Sequence, residues 1–257
     1  MLTPQTTSAE KKMMRNLKVM MAYRGTNYHG FQRQANAYTV QEAVESAVSS
    51  VLNEKVLIHG CSRTDTGVHA NEFCFSVKTE SKIQCLNFVR GVNGRLPKDI
   101  SILSCEDVPM DFHARFSCKG KEYVYKIHCS ESKNPFADDL MLHYRRPIDI
   151  ELVKRSSEYF VGKHDFKAFC TESDGKLSTV RTIYGFDIEI TGFEVKMLVK
   201  GDGFLYNMIR IIVGTLLDVN EKRILPCDIE DIIRSKDRSR AGRTAQAHGL
   251  YLNRVFY

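Results

Sequence analysis

The segment GCSRTDTGVHA, residues 60–70, places one acid, Asp65, two residues after a cation, Arg63, in a turn-rich stretch between two β-like runs. A lone carboxylate can serve as a nucleophile only if it stays ionised and oriented, and that calls for a counter-charge. Arg210 lies in MIRIIVG, inside a run that is apolar nearly all round. A buried guanidinium without a partner costs several kcal/mol, so this one must either reach water and helix-end carbonyls or meet a deeply placed carboxylate. Asp65 is the candidate for the second arrangement. Each residue also has a plain structural reading. Asp-Thr-Gly is ordinary turn chemistry. Tyr123, in the alternating run KEYVYKIHC, fits a core position as well as a catalytic one, and His69 fits a structural hydrogen-bonding role as well as an acid–base one.

Other chemistries find little support. The eight cysteines form no C-x-x-C pair and have no His-x-x-x-His beside them, so neither a zinc site nor a disulfide framework is expected. They are read as reduced thiols of a cytosol-like compartment, with an organelle left open. No P-loop and no G-x-G-x-x-G is present. No run of eighteen apolar residues exists to span a membrane. The net charge of +6 permits a nucleic-acid partner. The charge is uneven: RSKDRSRAGR, residues 234–243, carries Arg234, Lys236, Arg238, Arg240 and Arg243 against Asp237. That run is either a solvated loop or, beside an RNA site, a set of phosphate contacts.

The elements that must position these residues follow from periodicity. Residues 1–16 are polar and read as a flexible tail. A strand is predicted over 17–24. In TVQEAVESAVSSVLN the apolar residues recur at helical spacing, and Thr39 and Glu42 form a capping box. EKVLIHG and NEFCFSVKT read as strands on either side of the RTDTG turn, CLNFVRGVNGRLP as a helix ended by Gly94 and Pro97, and DISILSC as a strand. A second half starts near Phe112. In KEYVYKIHC, Tyr123, Tyr125 and Ile127 share one face. Asp149 caps a helix over IELVKRSSEYFV. TIYGFDIEI and FEVKMLVKG flank Thr191-Gly192 as a hairpin, with Phe193, Val195, Met197 and Val199 on one face. FLYNMIRIIVGTLLDV reads as a buried helix, IEDIIRS as a short helix capped by Asp228, and LYLNRVFY as the closing strand. The expectation is therefore an α+β chain of two similar α/β halves, 17–111 and 112–257, sharing a mostly antiparallel sheet.

The order of these motifs resembles the TruA-type tRNA pseudouridine synthases. GCSRTDTGVHA is similar to that family's signature, which runs G-[AC]-G-R-T-D-x-G-V-H-[AG]. YRGTNYHGFQRQ with TVQEAVE, VNGRLPKDI, VPMDFHARFSCKGKEYVYKI, GKHDFKAF, GDGFLYNMIRIIVGTLLDV and KDRSRAGRTAQAHGLYL resemble its other blocks in the same order, over roughly 17–257. The resemblance implies the pseudouridine synthase fold, with helices packed on one side of the sheet and a central RNA-binding cleft. It implies isomerisation of uridine to pseudouridine in the tRNA anticodon arm, by a cytoplasmic homodimer that needs no metal, nucleotide or redox cofactor. By position, Asp65 is the catalytic aspartate and attacks either C1′ of the ribose or C6 of the base. Tyr123 stacks on the target base and helps remove the C5 proton, and Arg210 pairs with Asp65. Arg63 holds the flipped nucleotide. His69, Lys119, Lys121, Arg238, Arg240 and Arg243 are the further substrate contacts expected.

The chain departs from the family pattern at Ser62, where Gly is usual, at Thr66, where Ala is usual, at Glu122, where a basic residue is common, and over SDGKLSTVRTI. The last two bear on which uridine is chosen. A catalytically inactive RNA-binding or RNA-folding protein of the same fold is the alternative. The Asp-Thr-Gly triplet also occurs in aspartic proteases, but that chemistry needs two carboxylates sharing a proton. No second D-[ST]-G is present, so only a dimer could supply it.

Overall fold

The structure, a computed structural model, describes residues 13–171 and 178–257. In chain order the elements are β1 (Arg15–Tyr23), α1 (Val40–Leu52), β2 (His59–Gly60), β3 (His69–Thr79), α2 (Cys85–Asn93), β4 (Ile100–Val108) and β5 (Gly120–Cys129). There follow β6 (Leu142–Tyr144), α3 (Ile150–Ser157), β7 (Gly162–Asp165), β8 (Val180–Thr191), β9 (Glu194–Gly201), α4 (Met208–Asn220), α5 (Asp228–Ser235) and β10 (Leu250–Phe256). The main sheet runs β4-β1-β3-β10-β5-β9-β8-β7. Neighbours along it are antiparallel, except that the C-terminal β10 lies parallel to β3.

One face of the sheet is apolar and the other partly open, as alternation requires. Leu17, Val19, Met21 and Tyr23 of β1 and Val195, Met197 and Val199 of β9 are buried, while Lys18 and Met20, like Glu194 and Lys196, are only half-buried. Helix α1 begins as its sequence demands, with Thr39 Oγ1 accepting from Glu42 N at 3.3 Å. Asp149 caps α3 through Leu152 N. The hairpin β8–β9 turns at Gly192.

Several expectations are corrected. EKVLIHG is strand only at His59–Gly60. Its earlier amides bond to α1 side chains instead, Val56 N to Ser49 Oγ and Ile58 N to the buried carboxylate of Glu45, so no strand partner can claim them. Helix α4 starts at Met208 rather than near Phe204, because Asn207 sits in the left-handed region (φ 61°), which no helix interior accommodates. Phe193 is 67% exposed at the hairpin tip, not on the core face. Asp228 is the first residue of α5, and its carboxylate accepts from Leu225 N, before the helix. Of the expected tail, residues 1–12 lie outside the described residues, whereas Arg15 and Asn16 already belong to β1.

The segment 241–245 lies directly on α4. Gly214 makes this possible, since a Cβ there would stand 1.7 Å from the Arg243 carbonyl oxygen, which is backbone and cannot swing aside. Gly214→Ala should therefore lower the thermal midpoint by roughly 4–10 °C, from an overpacking cost of about 1–3 kcal/mol. Gly185→Ala, where nothing lies within 4 Å, should leave it nearly unchanged. Paired melting curves check both.

Candidate active site

The RTD segment leaves β2 and returns to β3 as a tight loop. Cys61 N donates to Cys74 O at 2.8 Å, continuing the β2–β3 pairing. Thr64 anchors the middle: its hydroxyl bonds the Tyr23 hydroxyl (2.8 Å), and its carbonyl accepts from Phe31 N (3.1 Å). Val68 N donates to Asp65 O, and Gly67 has φ 78°, the conformation asked of the third residue of a type II turn. The local sequence thus folds into a rigid turn with Asp65 at its first corner.

The carboxylate of Asp65 meets Arg210, 145 residues away, at 3.4 Å from Nη1 to Oδ2. Shorter bonds fix the guanidinium itself. Nη1 donates to Asn207 Oδ1 at 2.6 Å, and Nε donates to Ala245 O at 2.7 Å. Ala245 N in turn donates to the Arg210 carbonyl. Arg210 faces the acid, and the carbonyl it bonds belongs to the loop residue Ala245 rather than to a helix end. Asn207 escaped the sequence analysis. Its signal was an amide three residues before the arginine at a helix start, one turn away on the same face. Side-chain exposures of 20% for Asp65 and 17% for Arg210 place the pair mostly out of water. Burial pushes the Asp65 carboxyl above its ordinary value, and Arg210 opposes this by charge and by hydrogen bonding.

Tyr123 reaches the same place through the sheet. Leu252 of β10 stands opposite both Ala70 of β3 and Tyr123 of β5, so the C-terminal strand sets β5 beside the strand that follows the turn. The Tyr123 hydroxyl lies 3.1 Å from Ser62 Oγ, and its ring meets Phe204 edge-on at 5.2 Å. Burial raises its phenol well above the usual value. Lys121 Nζ is 3.4 Å from Ser62 Oγ. The serine that departs from the family pattern therefore joins the lysine to the tyrosine. Glu122, another departure, accepts from Asn253 Nδ2.

Asp65, Tyr123, Arg63 and Lys121 line one open cavity of about 780 Å³, large enough for a nucleotide-sized ligand. Among the described residues lining it Asp65 is the sole acid, set against Arg63, Arg115, Lys121 and Arg181. The charge balance favours an anionic ligand, with the carboxylate at its centre.

Other expected contacts lie elsewhere. His69 is 1% exposed. Its Nδ1 accepts from Gly25 N, its Nε2 faces the Asp139 and His248 carbonyls, and its ring stacks on Tyr251. Burial lowers its pKa to about 4, so it is a neutral structural histidine with no path to substrate. The basic run 234–243 is mostly engaged within the fold. Arg238 bonds the Ala241 and Gly242 carbonyls and Thr244 Oγ1, and Arg243 pairs with Glu221 and Asp218. Arg234 pairs with Glu230 and Asp231, and Lys236 with Asp165. Arg238 and Arg243 are therefore engaged in shaping the loop. Arg240 and Lys119 are exposed but line no part of the cavity.

Comparison with known proteins identifies the family. The family described as tRNA pseudouridine synthase matches residues 19–117 and 157–257. The tRNA pseudouridine synthase A of Clostridium acetobutylicum is 43% identical over 244 residues, covering 95% of this chain and 100% of that protein. The same coverage holds for tRNA pseudouridine synthase A 2 of Clostridium perfringens, at 44%, and tRNA pseudouridine synthase A of Acetivibrio thermocellus, at 45%.

The raised Asp65 carboxyl has a stability consequence. The folded chain binds that proton more tightly than the unfolded one. The stability this contributes is full below the ordinary value near 3.8 and is lost as pH rises through the folded value. At neutral pH the ionised group thus weakens the fold. Asp65→Asn should melt at or above the wild-type temperature at pH 7, with the difference vanishing near pH 4. Thermal scans from pH 4 to 8 read this directly, and a variant markedly less stable at pH 7 would contradict it.

Proposed function

The chain belongs to the tRNA pseudouridine synthase family and isomerises uridine to pseudouridine in tRNA; from that premise we propose that Asp65 is the nucleophile and that the target uridine lies in the anticodon arm. The observation that carries the first part is the setting of Asp65: among the described residues it is the one acid lining a basic cavity, held at 3.4 Å from a guanidinium that is itself fixed by Asn207 and Ala245.

A uracil inside a helix cannot turn over, so the nucleotide is first extruded, at a cost of a few kcal/mol. Arg63, exposed on the RTD turn and lining the cavity, takes the space it leaves. The uracil enters beside Tyr123, whose ring is braced by Phe204 and whose hydroxyl is tied to Ser62. The Asp65 carboxylate then attacks, at C1′ or at C6. In either case the N1–C1′ bond breaks, the uracil turns within the pocket, C5 bonds to C1′, Asp65 is released, and the proton lost from C5 to solvent is matched by one taken up at N1. No atoms are gained or lost overall. Arg210 keeps the carboxylate ionised despite its burial. Burial holds the phenolic proton on Tyr123, so it meets the base as a neutral ring, and accepting the C5 proton requires the phenol first to give up its own.

The names of the similar proteins support tRNA as substrate. The anticodon arm, a homodimer sharing one tRNA, and a cytoplasmic setting extend that reading by resemblance. Lys121 and the exposed Lys119 and Arg240 are the backbone contacts proposed, reading shape rather than sequence. The division at residue 112 is proposed as the junction between a half that brings Asp65 and a half that brings Tyr123 and Arg210.

The decisive measurement is tritium release from [5-³H]uridine-labelled bulk tRNA by wild type and Asp65→Ala. Wild type should release tritium, and the variant should be slower by at least roughly a thousand-fold while still binding tRNA. Equal rates would remove Asp65 from the chemistry. Binding without release by either protein would favour the inactive RNA-binding alternative.

A further inference from the structure

At the mouth of the cavity a second set of rings is left unused by the chemistry above. His59, His113 and Phe116 form a short ladder. The His59 and His113 centroids lie 5.0 Å apart with planes at 34°, and those of His113 and Phe116 lie 4.4 Å apart at 37°. The guanidinium of Arg115 sits 5.7 Å from the Phe116 centroid. All four residues line the same cavity as Asp65. The ladder ends in open space: Phe116 is 77% exposed, and the neighbouring Leu57 is 62% exposed. Tyr123, by contrast, is 6% exposed and lies in the cavity's depth.

The exposed ring is not on a loose segment. Ser117 N donates to His113 O (2.9 Å), His113 N donates to Ser117 Oγ (3.1 Å), and Arg115 N donates to His113 Nδ1 (3.1 Å). These bonds fix the turn that carries the ladder, yet Phe116 at its end is left largely in water. Burial and the neighbouring His59 lower the His113 pKa, which favours a neutral stacking ring. A preordered aromatic face flanked by a guanidinium matches the surface on which unpaired nucleobases stack, since every base offers a π-face and its backbone offers a phosphate.

We propose that Phe116, backed by His113 and His59 and flanked by Arg115, is a stacking platform for the base of a nucleotide next to the target uridine. The target itself belongs at Tyr123, in the cavity's depth, so a ring at the mouth takes the neighbour. Extruding one nucleotide unstacks its neighbour. The platform supplies a replacement stack and lowers the cost of extrusion. This rests on the tRNA-modifying activity of the family and not on which arm of the tRNA is used.

Initial rates of tritium release from bulk tRNA come first, so that an error about the anticodon arm leaves the result readable. Phe116→Ala should raise KM roughly five- to hundred-fold, the range of losing one base–aromatic stack, with kcat within about two-fold. Phe116→Tyr should restore KM. An unchanged KM, or a loss not rescued by tyrosine, overturns the proposal. The second arm uses a stem-loop or full-length transcript that the wild type isomerises, with the nucleotide on either side of the target made abasic in turn. One of these replacements should weaken wild type by the same factor and add nothing in Phe116→Ala. Independent, multiplying losses would overturn the proposal. So would a change of sedimentation in Phe116→Ala, which would place the ring in a subunit contact.

Discussion

A carboxylate with only a fifth of its side chain open to water needs a positive neighbour to stay ionised, and in this protein Arg210 supplies it. Much of the surrounding architecture follows from that single pairing. The guanidinium must be aimed, so Asn207 adopts a left-handed backbone at the head of α4 and presents its amide oxygen, while the Ala245 carbonyl takes the other edge. For Ala245 to be there, segment 241–245 must lie on α4, and for that residue 214 must lack a side chain. On the opposite side Thr64 pins the turn to β1 through Tyr23. The long 3.4 Å contact is what remains after both partners have been fixed by other bonds. It leaves Asp65 ionisable yet free of a tight bidentate clamp, which suits the nucleophilic role proposed for it.

The second organising element is the last strand. By inserting between β3 and β5, β10 turns two sets of strands into one sheet and aligns the turn that bears Asp65 with the strand that bears Tyr123. A sheet is well suited to this task because register fixes side-chain placement within a residue, and a slip of one would turn Tyr123 to the other face. The ring then needs only local support, from Phe204 and from Ser62.

Charge is divided between two jobs. The densest basic run, 234–243, is largely consumed in shaping its own loop and in neutralising Glu221 and Asp218. The cations that line the cavity come from separate elements, Arg63, Arg115, Lys121 and Arg181, and among the described residues Asp65 is the one acid lining it with them. Such dispersed positive charge, joined by exposed rings at the mouth, is suited to a folded RNA recognised by shape and by splayed bases.

The sequence by itself determined the class of elements and the chemical core. Amphipathic spacing located α1, the alternation in KEYVYKIHC located β5, and the RTD and MIRIIVG motifs identified Asp65 and Arg210 and required a partner for the latter, because a buried guanidinium constrains its surroundings wherever it sits. What the tertiary structure alone decided was where each polar group found its partner. The run EKVLIHG has strand composition, yet α1 side chains took its amides. His69 sits in a motif and is sealed by two carbonyls, and Arg238 and Arg243 look free in sequence and are bound in space. Asn207 and Phe116 gained their settings from a left-handed cap and from a locked turn at the cavity mouth. Local patterns report the periodicity and polarity of a segment. They carry no record of which distant donor or acceptor will reach it, and in this fold that pairing separates the residues that face the cavity from those that only hold it together.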